Sequence, residues 1–255
     1  VDILIRDSAE EVGVAAADLI SGHVGRNETI GLATGSSPLP TYRELIRRVG
    51  AGQLSFRNCR AFLLDEYLGL GPGDPHSYHR TIRDVFTAHI DIEDSEVVGP
   101  DGTDPDPRAA AARYERRVVG AGVGVQLLGI GVNGHIGFNE PSSSLNGETT
   151  VQALHPQTVR DNARFFDSVG DVPDYAITQG LGTIMRAGHL VLVATGTSKA
   201  EAVRSMIEGP VSAFCPASVL QLHPRASVIL DEEAAAGLGY LDFYRSIDAR
   251  RFPVR

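Results

Sequence analysis

The chain has almost no lysine. Of its 23 basic residues, Lys199 alone is a lysine and the rest are arginine. General surface charge is left to arginine, so the single ammonium asks for a specific reason. Tryptophan is absent, and 255 residues hold only two cysteines. Cys59 and Cys215 are too few for a disulfide framework or a thiolate metal cluster, which fits a reducing cytoplasm. No apolar run approaches the ~20 residues of a membrane-spanning helix. The start, "VDILIRDSAEEV", has neither the basic n-region nor the apolar h-region of a signal peptide, and none is expected. Positive charge is also in deficit: 23 basic against 32 acidic residues give a formal charge of −9. Such a surface repels phosphate backbones and anionic lipid, so neither nucleic acid nor membrane is expected as a partner. A bound anion would need a local basic site. The bias towards arginine suggests a bacterial genome of skewed composition.

Also missing are a Pro-, Gly- or Ser-rich linker, a low-complexity tract and a long charge run. Residues 1–255 are therefore read as one domain. Short apolar runs alternate with amphipathic ones. "DILIR" (2–6) reads as a strand, and the next run reads as a helix opened by a capping box of Ser8 and Glu11. "TIGLATG" is a strand ending in a glycine turn. In the helix after it, Leu39, Tyr42, Leu45, Ile46 and Val49 share one face. "CRAFLLDEY" reads as one strand running into acidic residues. "SYHRTIRDVFTAHI" and "RAAAARYERRVV" read as helices. "GVQLLGIG", "HLVLVATG" and "ASVILD" read as buried strands. Ser198 and Glu201 repeat the capping-box spacing before another helix. Strands alternating with helices predict an α/β three-layer sandwich, Rossmann-like, around a mostly parallel sheet. Residues 139–180 are polar and irregular, too long for a simple connection, and are expected to form a lid or binding loop.

Two segments echo each other, "GLATGSSPLPTY" and "VLVATGTSKAEA". Each is an apolar strand, then Ala-Thr-Gly, two hydroxyl residues and a helix. Such a turn suits an anion, because glycine lets the backbone approach and the helix start offers unpaired N–H groups. Gly35, Ser36 and Ser37 form the first turn. In the second, Lys199 sits at the helix start, where a cation disfavours the helix by up to ~1 kcal/mol unless an anion lies beside it. The bland reading is two capped helices of any α/β fold. The shared pattern and the single lysine favour a phosphate site at the strand ends. Neither a GxxxxGK[ST] loop nor a GxGxxG strand–helix turn is present, so no nucleotide cofactor is expected.

The acid–base candidates follow. Asp65 and Glu66 end a buried strand, and since neighbouring strand residues face opposite ways, one should face the cleft. The stretch "LLGIGVNGHIGFNEP" (127–141) breaks a buried strand into glycines and then presents Asn133, His135, Asn139 and Glu140. A histidine and a carboxylate beside a strand end can do general acid–base work. His76 and His79 lie three apart without a carboxylate at helical spacing, a poor metal set, and no metal is expected. His155 and His223 each precede proline and read as loop anchors. Arg164, in "RDNARFF", is either a surface charge or a lid residue.

Taken in order, "ATGSSP", "LLDEYLGL", "GIGVNGHIGFNEP", "ARFF", "TGTSKA" and "LQLHP" resemble the glucosamine-6-phosphate deaminase (isomerase) family over roughly residues 2–247. The resemblance implies conversion of glucosamine 6-phosphate and water to fructose 6-phosphate and ammonia, without a cofactor. It implies Asp65 as the base that moves a proton between C2 and C1, and His135 as the ring-opening acid–base group supported by Glu140. It also implies that Gly35, Ser36, Ser37, Arg164 and Lys199 hold the phosphate, with Lys199 as a point charge where arginine's fork fits poorly. Some members carry aspartate where this chain has Asn133. An amide cannot stabilise an imidazolium as an anion does, so Asn133 is assigned orientation only. Members activated by N-acetylglucosamine 6-phosphate carry basic residues after "NEP". Here "SSSLNGETTVQAL" has none, and no such activation is expected. A galactosamine-6-phosphate deaminase, a 6-phosphogluconolactonase and a non-catalytic phosphosugar sensor are the other readings. A homo-oligomer is left open.

Overall fold

The computed structural model describes residues 1–250. Its strands are Asp2–Arg6 (β1), Thr29–Leu32 (β2), Ala61–Leu63 (β3), Asp65–Tyr67 (β4), Val97–Val98 (β5), Val123–Leu128 (β6), Thr150–Ala153 (β7), Tyr175–Thr178 (β8), Leu190–Ala194 (β9) and Ala226–Asp231 (β10). Its α-helices are Ala9–Val24 (α1), Leu39–Gly50 (α2), Tyr78–Val85 (α3), Pro107–Ala121 (α4), Pro156–Asn162 (α5), Leu181–Ile184 (α6), Ala200–Glu208 (α7), Glu232–Ala235 (α8) and Leu241–Asp248 (α9).

Seven strands form the main sheet in the order β1-β10-β9-β6-β2-β3-β5, every pair parallel. Both faces are covered, which is why β9 (LVLVA) is buried at every position. The helical face foreseen on α2 forms: Tyr42 and Leu45 are buried, with Leu39, Ile46 and Val49 packed partly against the core. Tyr42 stacks on Phe86 at 4.5 Å between centroids, and Phe56 meets Phe86 edge-on at 5.6 Å. Such aromatic pairs add about 0.5–1.5 kcal/mol each beyond their buried area. From β2 the chain moves outward to β3, whereas from β6 it moves the other way to β9. The crevice between the C-terminal ends of β2 and β6 is the topological switch point, where ligands bind in such sheets.

Three local expectations change. "CRAFLLDEY" is not one strand: it breaks at Leu64, and β4 leaves the main sheet to pair antiparallel with β8. β8 also pairs antiparallel with β7, giving a small second sheet, β4-β8-β7, that α4 packs against. Residues 139–180 therefore contain ordered strand pairing, and only the part around α5 and the following 3₁₀ turns overhangs the crevice. Finally, Ser8 caps α1 by accepting from the Glu11 N–H at 3.2 Å, while Glu11 reaches Asp7 rather than Ser8. At α7 no side-chain cap forms: Thr197–Lys199 winds as a 3₁₀ turn and Lys199 itself takes the cap position.

Candidate active site

The candidate phosphate end starts from β2. After Leu32 the chain turns at Gly35, whose φ of +100° suits a residue without a Cβ. Tyr42, one turn into α2, fixes this turn by clasping Ala33: its hydroxyl donates to the Ala33 carbonyl (2.6 Å) and accepts from the Ala33 N–H (3.0 Å). Ser37 is buried and Ser36 exposed. The N–H groups of Gly35, Ser36 and Ser37 donate to no protein acceptor among the described residues. The second turn differs. The Gly196 N–H donates to the Asp231 carboxylate (2.9 and 3.1 Å) and the Thr197 N–H to Glu233 (3.2 Å). Its Gly196 and Thr197 donors are spent, so it brings its lysine to the crevice rather than a second full anion nest. Burial lowers the Lys199 pKa, Arg164 lowers it further, and Asp161 opposes both. Arg164 is exposed, with its guanidinium 4.7 Å from the Phe165 ring centroid.

The acid–base end lies across the same cavity of ≈ 550 Å³, a size usual for small-molecule sites. The alternation of β4 separates the two carboxylates. Asp65 faces the cavity, where no protein donor among the described residues reaches it. Burial, with the charge of Glu66 behind it, raises its pKa well above the usual range. Glu66 points away and accepts from the N–H groups of Tyr67, Tyr78 and His79 at 2.9–3.0 Å, anchoring the start of α3. Burial pushes it up to about 7 despite these bonds. His135 projects into the cavity from the loop after β6. Its ring lies so close over Gly131 that a Cβ there would sit 2.2–2.5 Å from the imidazole atoms. Nδ1 of His135 is 3.4 Å from Glu140 Oε2, close enough for charge attraction but poorly aligned for a hydrogen bond. Glu140 is held from two sides: Asn133 Nδ2 donates to it at 2.8 Å, and the Thr158 hydroxyl donates to its other oxygen. Burial disfavours its ionisation, but the His135, Thr158 and Asn133 contacts outweigh that and hold it at about 2. The Asn133 oxygen accepts from the His135 N–H at 3.2 Å. Asn133 thus contacts both the Glu140 carboxylate and the His135 backbone.

The sequence model of a family described as "Glucosamine-6-phosphate isomerases/6-phosphogluconolactonase" matches residues 2–229. The chain belongs to this family. Among curated relatives in the glucosamine-6-phosphate isomerase family, the glucosamine-6-phosphate deaminase of Corynebacterium efficiens is 57% identical over 251 residues, covering 98% of this chain and 99% of that one. The deaminase of Corynebacterium glutamicum strain R is 59% identical over 247 residues, 97% and 98% of the two chains. Among solved structures, a monomeric glucosamine-6-phosphate deaminase matches at a TM-score of 0.90 and 42% identity, covering 93% of this chain and all of that one (100%). The 6-phosphogluconolactonase of Trypanosoma cruzi matches at 0.75 and 21% identity over 93% and 97%, a likeness of fold alone.

Within this isomerase-family fold, seven of the nine residues assigned a role in the sequence analysis line one cavity: Gly35, Ser36, Ser37, Asp65, His135, Arg164 and Lys199. The other two, Asn133 and Glu140, stand behind His135. Asn139 is not a cavity group; its amide ties the loop to the carbonyls of Ile136 and Gln179. His76 accompanies no second ligand: it bonds the Phe165 carbonyl at 2.7 Å and stacks on Phe166 at 4.7 Å, pinning the overhang. His155, expected as a loop anchor, instead caps α5, while His223 bonds the Ala187 and Arg225 carbonyls as an anchor would. Sequence reasoning missed Thr158, Asp161, Asn162, Tyr67 and Tyr78. Asn162 donates to the Tyr67 hydroxyl at 2.8 Å, which lies 3.1 Å from that of Tyr78. No spacing rule joins these positions; only the small sheet and the overhang bring them together.

Proposed function

We propose that this chain converts glucosamine 6-phosphate and water to fructose 6-phosphate and ammonia, in the cytoplasm. The observation that carries the reading is the pairing, in one cavity, of a donor-free buried carboxylate and a carboxylate-backed histidine with an anion turn and the single lysine. The deaminase relatives at 57–59% identity support it over lactone hydrolysis.

In this proposal the phosphate rests on the Gly35–Ser37 N–H groups, with Lys199 and Arg164 beside it. These contacts are remote from the reacting carbons and act by positioning. His135 moves the proton that opens the sugar ring, and Glu140 stabilises its imidazolium. Asp65 then removes the C2 proton, giving an enolamine between C1 and C2. The same carboxylate returns the proton to C1, leaving an iminium at C2. Water adds there and ammonia leaves, so one water is consumed for each ammonia released. Burial without donors makes Asp65 a strong base for a carboxylate, and the cationic amine of the substrate counters the cost of ionising it. Both cysteines are free, and the charged substrate does not cross membranes unaided, which supports the cytoplasmic placement.

The test is incubation of the purified protein with glucosamine 6-phosphate, following ammonia and fructose 6-phosphate together. Equal release of both is expected. Turnover of galactosamine 6-phosphate or 6-phosphogluconolactone in its place would overturn the substrate assignment. Binding without turnover would point to a sensor.

A further inference from the structure

Lys199 shares its cavity with one carboxylate the proposed reaction does not use. Asp161 stands on α5, in the overhang, and lines the cavity together with Lys199 and Arg164. Its side chain is steadied by a neutral donor, Gln157 Nε2 at 2.7 Å, whose own oxygen accepts from Arg160 at 2.7 Å. Neither Asp161 nor Lys199 forms an ion pair among the described residues. The charge on Asp161 is therefore met at the phosphate end by attraction from Lys199 across the cavity, without a direct ion pair. The molecule already carries −9, and the only local positive groups assigned to the phosphate are Lys199 and Arg164. An acid here works against the ligand that the end is built to hold.

We propose that Asp161 sets the affinity of the phosphate end, as a resident anion that competes with the phosphate for Lys199 and Arg164. This rests on the reading of that end as a phosphate site. It weakens binding of any phosphate ester, most of all a dianion, and so sets how readily phosphorylated product leaves. Its action is electrostatic and acts across open cavity, so salt screens it; a packing role would not respond to salt. Asp161 and Lys199 attract each other, and that attraction is what an incoming phosphate has to displace.

The experiment compares the wild type with D161N and D161E as full-length protein. It reads the dissociation constant of inorganic phosphate by calorimetry and KM for glucosamine 6-phosphate by turnover. Each is read at about 0.02 M and about 0.5 M salt, on either side of effective screening. D161N should bind phosphate and substrate about three- to tenfold more tightly at low salt, with the gain shrinking at high salt, as for one partly screened charge in the same cavity. D161E, which keeps the charge, should stay near wild type. Unchanged or weaker phosphate binding by D161N at low salt would overturn the proposal, as would a gain that persists at high salt. The calorimetric arm needs no turnover. A wild type that binds phosphate but releases no ammonia would overturn the proposed reaction while the D161N comparison still decides this inference.

Discussion

Asp65 and Glu140 are two buried carboxylates shifted in opposite directions, and their surroundings say why. Asp65 has burial and a like charge but no donor, so its pKa rises; Glu140 has burial opposed by three partners, so its pKa falls to about 2. The signs give separate predictions. A raised folded-state pKa means that stability is fully present below the unfolded value of 3.8 and is lost as pH rises through the folded pKa. Asp65→Asn should therefore lose about 10²–10⁴ in turnover, the usual worth of a general base, yet melt higher than wild type at pH 7. That gain should vanish below about pH 3.8. Melting curves across pH check it, and a lower melting temperature at pH 7 would refute the donor-free burial. For Glu140 the linkage runs the other way: its stabilisation is present above the unfolded value of 4.5 and is lost as pH falls towards 2. Glu140→Gln should slow ring opening at neutral pH. The check is turnover measured on cyclic substrate, and an unchanged rate would remove Glu140 from the mechanism.

At the scale of elements, two turns and one loop place the chemistry. The Tyr42 hydroxyl clasps the start of the β2–α2 turn, so Tyr42→Phe leaves the Ala33 N–H and C=O without that partner. Loss of a buried partner costs about 1–3 kcal/mol, and a raised KM for phosphorylated substrate should accompany it in thermal and kinetic assays. The loop after β6 packs the imidazole over Gly131. A methyl there would intrude on the ring by more than an ångström of normal contact. Gly131→Ala should cost about 10²-fold in kcat, in line with the effect of small misplacements, while phosphate binding, at the other end of the cavity, holds. Much of this level was legible. The Ser8 cap, the α2 face and the β2 glycine turn are local and follow from spacing. The Ser198–Glu201 cap was misread because Asp231 and Glu233, arriving from β10 and α8, take the N–H groups around Gly196 and leave Lys199 as the cap.

For the whole molecule, the expectation about regulation remains to be measured. The stretch after Pro141 carries Glu148, which reaches Arg186 at 3.5 Å, and then the strand β7. No basic residue lies within 142–154 to take an activator's phosphate. Velocity should depend hyperbolically on substrate, and N-acetylglucosamine 6-phosphate should leave the curve unchanged; a sigmoidal curve straightened by that compound would refute this. The sequence by itself determined the parallel α/β sheet, because buried strands and amphipathic helices alternate with distinct periods. It also marked the candidate acid–base and phosphate groups, because rare residues and glycine-rich turns stand at strand ends. Only the tertiary structure decided which of Asp65 and Glu66 faces the cavity. That choice follows from β4 leaving the main sheet to pair with β8, more than a hundred residues later, and from α3 needing a carboxylate at its start. The same long-range pairing swings α5 over the crevice. There Thr158 braces Glu140, and Asp161 comes into the cavity of the single lysine.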